Sequence, residues 1–196
     1  MLADLICMSA LSKDFDFTQK LFSNEFLFIR NSELKSKKNR GFYLIENQND
    51  LQKINSLKQK FPLLGLKSND LSLLKQGLQK KINFISFSLA TKKLVFDSAL
   101  ANLANQADCL IVIDFNEILT ATETDFLLIM KNAFLLKEIS LQANCKVIVA
   151  SFAKNLFEKR GSFELAFFLE LIGFSNEQAL FNQKNAFELL SKGDLK

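Results

Sequence analysis

The side chains able to do chemistry in this 196-residue chain are few, and the most decisive count is zero: there is no His. A chain without imidazole cannot build a His-ligated zinc site, a Ser-His-Asp triad or an imidazole general base. Cys7, Cys109 and Cys145 are odd in number and widely spaced, which matches neither a disulfide framework nor a zinc pattern. Carboxylates and amines remain. Glu46, Asp114 and Glu117 each follow an apolar run and offer oxygen ligands of the kind a hard divalent cation takes. Lys67 follows PLLGL, a place where a barrel lyase holds a Schiff-base lysine. Scattered carboxylates and a lysine at a strand end also serve as caps and ion pairs, so both readings stay open. No G-x-x-x-x-G-K-[ST] phosphate loop occurs.

Basic residues are more concentrated. Lys154, Lys159 and Arg160 fall within seven residues, and Lys35, Lys37, Lys38 and Arg40 within six, in a stretch that reads as a loop before FYLIE. Residues 1–81 carry 14 Lys or Arg against 8 Asp or Glu, whereas residues 82–196 carry 11 against 13. Basic loops concentrate positive potential where a phosphate backbone can meet it. A short basic cluster is equally a solvated connection, and Arg160 can instead cap a helix or pair with Glu158 or Glu164.

Short apolar runs alternate with amphipathic stretches along the whole chain. Strands are expected at 3–7, 26–30, 42–46, 62–66, 82–87, 109–114 and 146–150, with the continuous hydrophobicity of strands buried on both faces. Helices are expected over 49–60 (Leu51, Ile54 and Leu57 inward), 69–79 (Leu71, Leu74 and Leu78 inward, capped by Asn69 or Ser68), 123–142, 162–172 and 175–192. In the third, Phe126, Ile129, Met130, Ala133, Phe134 and Ile139 define the expected buried stripe, and Gly173 closes the fourth. The class is α/β. About seven parallel strands without a Gly-rich first turn favour a TIM-like (β/α) barrel over a doubly wound sheet, as a single domain spanning 1–196. Six Gly, one Pro and 48% hydrophobic residues exclude a linker-rich or disordered chain. No apolar run is long enough to span a bilayer and no signal sequence is visible, so a cytoplasmic protein without a membrane partner is expected. Polar residues follow the strands in order: Ser9, Arg30 with Asn31, Glu46, Lys67 with Ser68, Ser86 with Ser88, Asp114 with Asn116 and Glu117, and Ser151 with Lys154.

The most distinctive stretch is 146–173, KVIVASFAKNLFEKRGSFELAFFLELIG. It resembles the ribonuclease P protein component 3 family, in which a strand ends near I-S-S-G-A, a short segment ends in Leu/Met-Arg, and a helix closes on Leu-Gly. Ser151 and Ala153 match the second Ser and the Ala, Arg160 the Arg and Gly173 the Gly, while Ala150 and Phe152 replace the first Ser and the Gly. INFISFSLA (82–90) is similar to the family's D-[VI]-[LI]-S-[FL]-[DS] strand through Ser86. IDFNEIL (113–119) is similar to its E-[IV]-[NS]-x-x-[LI]-[LI] through Asp114 and Asn116, and GFSNEQAL (173–180) to its G-[LM]-x-x-x-x-A-[LI]. The likeness is good from about 82 to 190 and weak before that.

The resemblance implies a barrel related to the PHP-type phosphoesterases that lacks their catalytic metal ligands. It implies a non-catalytic subunit of ribonuclease P, the ribonucleoprotein endonuclease that removes the 5′ leader from precursor tRNA. The partners would be the ribonuclease P RNA and a small α/β protein subunit, with precursor tRNA met indirectly. Mg2+ would sit on the RNA, and this chain would bind no cofactor and no metal of its own. The absence of His agrees independently with a barrel serving as scaffold. Lys154, Lys159, Arg160 and the 35–40 cluster are then expected on RNA phosphates, and exposed apolar surface on the protein partner. The alternatives are a stand-alone barrel enzyme, either a Schiff-base lyase through Lys67 or a carboxylate-metal phosphoesterase, and a scaffold that binds only protein.

Overall fold

The computed structural model describes residues 2–6, 25–30 and 39–191. The strands are β1 (Leu2–Ile6), β2 (Glu25–Arg30), β3 (Asn39–Ile45), β4 (Leu63–Lys67), β5 (Phe84–Ser86), β6 (Leu110–Asp114) and β7 (Val147–Ala150). They form one sheet in chain order, and every neighbouring pair is parallel. The helices between and after them are α1 (Gln48–Gln52), α2 (Ile54–Lys60), α3 (Leu71–Gln79), α4 (Ser98–Gln106), α5 (Phe115–Leu119), α6 (Glu123–Gln142), α7 (Ser162–Leu171) and α8 (Asn176–Ser191), with a 3-10 turn at Leu156–Glu158.

Alternate strand residues sort into two apolar clusters, as the two-residue period of a strand requires. In β6 and β7, Ile111, Ile113, Val147 and Val149 pack with helix residues such as Leu100, Ile129 and Leu165. Leu110, Val112, Ile148 and Ala150 pack instead with Leu5, Phe42, Leu44, Leu63 and Phe84, a cluster made of strand residues and Phe152 alone. Gly65 explains itself there: a Cβ would lie 2.0 Å from Cζ of Phe84, so only hydrogen leaves room for that ring. The first and last strands also approach each other. Ile6 and Ala153 form a parallel bridge, and the Phe152 amide donates to Leu5 O at 2.9 Å.

Local chemistry sets the helix ends. Asp70, Asp97, Asp114 and Thr122 each accept a backbone N–H of the turn they precede. Gly173, at φ +97°, ends α7 as expected. Some expectations need correction. The cap of α3 is Asp70; Ser68 Oγ accepts the Asp70 amide, and Asn69 accepts the Ser88 amide instead. The 49–60 segment is two helices meeting at Lys53. The buried face of α6 is Ile129, Asn132, Ala133, Leu136 and Ser140, while Phe126 and Phe134 face outward. Asn132 is tolerated inside because it donates to Leu89 O and Thr91 O, both at 2.7 Å. No helix among the described residues is long and apolar enough to cross a membrane.

Candidate functional site

The strands run out into a cleft of about 360 Å³ lined by Arg30, Leu44, Glu46, Lys67, Ser88, Asp114, Asn116, Glu117, Thr120, Phe152 and Lys154. Most of its charges are matched. Arg30 Nη2 donates to Glu46 Oε2 at 2.6 Å, and Lys67 Nζ to Asp114 Oδ2 at 2.5 Å. The other oxygen of Asp114 accepts the Asn116 amide at 2.9 Å, so one carboxylate both starts α5 and holds Lys67. Glu117 accepts the Ser88 hydroxyl and the amides of Leu89 (3.1 Å) and Ala90 (3.4 Å), fixing the loop after β5. Lys67 Nζ also lies 5.6 Å above the Phe152 ring centroid.

These engagements bear on the enzyme readings. Glu46, Asp114 and Glu117 are each spent on a cation or on hydroxyl and amide donors. No group of three His, Cys, Asp or Glu able to hold a metal gathers among the described residues. The residues present do not fit the metal cluster of a phosphoesterase barrel. The Lys67 amine is likewise committed to Asp114 rather than left as a nucleophile.

Below this rim lies a buried ionic junction that sequence reasoning missed. Asp4 of β1 is 2% exposed. Its Oδ1 accepts the Ser151 amide at 2.7 Å, and its Oδ2 accepts the Ser151 hydroxyl at 2.6 Å and faces Lys159 Nζ at 3.1 Å. Burial pushes the Asp4 carboxyl above its ordinary range, while Lys159 and Ser151 pull it back only in part. The Lys159 ammonium also donates to Arg160 O. The available signal was a lone acid inside the otherwise apolar run ADLIC.

The expected phosphate-contacting residues separate into five situations. Lys154 is exposed, with its backbone amide anchored on Glu158 at 2.7 Å. Arg160 is partly exposed and donates from Nη1 to Phe157 O (2.7 Å) and Lys159 O (2.8 Å), capping its own loop; Glu158 and Glu164 bond elsewhere. Lys159 is a correction: its ammonium is enclosed with Asp4, so it holds the loop and offers no charge to solvent. Arg40 is another, because it lies within β3, paired with Phe28, rather than in a loop. Lys35, Lys37 and Lys38, like Ser9 and Asn31 of the expected rim, lie outside the described residues.

The residues of the family resemblance all fall at strand or helix ends. Ser86 closes β5 with its hydroxyl buried and unpartnered. Asp114 and Asn116 sit at the mouth of the cleft, Ser151 and Ala153 join β7 to β1, and Gly173 turns the chain between α7 and α8. Phe152, standing where the family pattern has Gly, adopts φ +43°, a left-handed conformation that side chains with a Cβ resist. Its ring is nevertheless buried in the strand cluster. Outside the cleft, Phe163, Phe167 and Leu171 form an exposed stripe at four-residue spacing along α7, and Phe157 of the preceding 3-10 turn is exposed as well.

No protein-family model matches the chain, and no curated protein matches it in sequence. Among solved structures, a chain of a cryo-EM structure of archaeal ribonuclease P with mature tRNA is similar with a TM-score of 0.84 at 15% identity, over 98% of this chain and 91% of that one. A crystal structure of an uncharacterized protein is similar with a TM-score of 0.60 at 10% identity, over 97% of this chain and 63% of that one. What the chain shares with the first, along nearly the whole of both, is its fold.

Proposed function

We propose that this chain is a non-catalytic protein subunit of ribonuclease P, supporting the catalytic RNA that removes the 5′ leader from precursor tRNA. The observation that carries this reading is the fold shared end to end with a chain of an archaeal ribonuclease P–tRNA assembly. The family-like motifs at Ser86, Asp114, Asn116, Ser151, Ala153, Arg160 and Gly173, in order along that fold, support it further. On this reading the strands form a closed TIM-like barrel of the PHP type, sealed where β1 meets Ser151–Ala153. The barrel is a scaffold: its rim carboxylates are neutralised by its own cations and donors, and Mg2+ belongs to the RNA.

Lys154 and the free edge of the Arg160 guanidinium contact RNA phosphates, Lys154 as a point charge and Arg160 as a fork. The 35–40 basic cluster adds to that surface. The Phe163–Phe167–Leu171 stripe receives the small α/β partner, and the particle works in the cytoplasm. A stand-alone enzyme fits less well, because Lys67, Glu46, Asp114 and Glu117 are already engaged. The test is to purify the chain from its own cells under native conditions and sequence the RNA that accompanies it. Enrichment of one structured RNA that cleaves precursor tRNA supports the reading; recovery of the chain with protein partners and no specific RNA refutes it.

A further inference from the structure

The outer face of α6 is apolar where a surface helix is ordinarily polar. Leu127, Phe134 and Leu141 recur every seven residues, which keeps them on one side of the helix. All three are exposed, Leu127 by 71%, and the exposed Phe126 and Leu135 widen the patch. Lys131 and Glu138, both exposed, sit along the middle of this face. Glu138 accepts from its neighbour Lys137 at 2.7 Å through Oε1, and its Oε2 has no partner among the described residues. A shallow hollow of about 450 Å³, lined by Ala121, Thr122, Glu123, Phe126 and Leu127, lies at the start of the same helix.

We propose that this face binds a second copy of the chain, the two α6 helices lying antiparallel about a two-fold axis between Phe134 and Leu135. About that axis Lys131 stands level with Glu138 of the other copy, and Glu138 with its Lys131. Phe134 meets Leu135, and Leu141 arrives next to Leu127, beside the hollow. The two charges are opposite in sign and equidistant from the axis, so the face is complementary to itself, as a two-fold contact requires. A lipid surface would have to take in charges of both signs. The exposed face of α7 lacks this property: centred on Phe167, an antiparallel copy would set Glu164 against Glu170, acid on acid. That face suits a partner of different sequence. The 20-residue α6 is about 30 Å long, so one helix pair makes an interface at the small end of specific ones, and association belongs at micromolar concentrations. The inference does not rest on the ribonuclease P reading, since it concerns the chain free of RNA.

The experiment is sedimentation equilibrium of the full chain, without RNA, across micromolar concentrations. A monomer–dimer equilibrium is expected. Lys131→Glu sets acid against acid at both ends of the seam and should weaken dimerisation about tenfold or more, as should Glu138→Lys by setting base against base. The combined swap, Lys131→Glu with Glu138→Lys, should restore it. Both residues are exposed, so the variants should keep the parent's circular dichroism. A chain that stays monomeric throughout overturns the inference, and so does a dimer that neither single change weakens or that the swap fails to rescue. A monomer whose α6 face instead captures another protein overturns it too. Each of these failures leaves the proposed function standing, and loss of the RNA reading would leave a dimer with these responses intact.

Discussion

Replacing Lys159 by Met tests whether the Asp4 junction holds the chain together. Both side chains of the pair are fully enclosed, with 3.1 Å between Lys159 Nζ and Asp4 Oδ2. Met keeps the length of the stem and deletes the charge, so Asp4 is left with only the Ser151 amide and hydroxyl. Removing one partner of a buried ion pair costs about 3–5 kcal/mol, because the survivor stays buried and uncompensated. For a domain of this size that corresponds to a fall in Tm of about 6–20 °C. Asp4→Asn should also destabilise, and the double variant should cost less than the two changes added together, since neither charge is then stranded. Far-UV circular dichroism during urea unfolding reads the effect in a chain that has no Trp and one Tyr.

The same pair has a pH signature. The folded-state pKa of Asp4 is raised, mainly by burial, so the folded form holds its proton more tightly than the unfolded form. The stability from that proton is present below the ordinary value of 3.8 and is lost as pH rises through the folded value. The native chain should lose stability across that window relative to Asp4→Asn. Additive costs below about 1 kcal/mol for Lys159→Met, far under the range for a buried pair, together with parallel pH curves, would refute the reasoning.

Three further outcomes follow from the packing and the surface. Gly65→Ala drives a methyl into the Phe84 ring and should destabilise by about 1–3 kcal/mol or more, with partial rescue by Phe84→Leu; urea unfolding of the single and double variants checks it. Burial pushes the Cys145 thiol up to about 11 and the Cys109 thiol further; in a Cys7→Ser background, iodoacetamide at pH 8 should modify neither until urea is added, as followed by mass spectrometry. Lys154→Glu with Arg160→Glu should weaken binding of ribonuclease P RNA and flatten the dependence of log K on log salt by about 0.7–0.9 per lost contact. Filter binding at several salt concentrations measures that slope.

Much of the site was legible from strand ends alone. Parallel strands buried on both faces stay apolar until they leave the sheet, so the polar residues that follow them mark the rim. Arg30, Glu46, Lys67, Ser88, Asp114, Asn116, Glu117 and Lys154 were reached that way, and all of them line one cleft. How they pair was not legible, because Lys67 and Asp114 come from strands distant in sequence. Lys159 misled for the same reason: nothing near it in the chain announces Asp4. On α6, apolar residues occur on every side, so periodicity could not choose the inward face, and the polar Asn132 lies inside where two carbonyls await it. The α4 helix announces itself weakly, since two of its three buried residues, Ala101 and Ala104, are small. Arg40 read as loop because Lys-rich sequence precedes it, whereas β3 begins one residue earlier, at Asn39.

The most direct measurement is 5′-leader cleavage of a precursor tRNA by the ribonuclease P RNA from the same cells, with and without this chain and its small partner. The account predicts no cleavage by the protein alone at any divalent-ion concentration, and faster cleavage by the RNA when the protein is added. Leader removal by the chain free of RNA, or cleavage by the RNA at the same rate with and without it, would contradict the account.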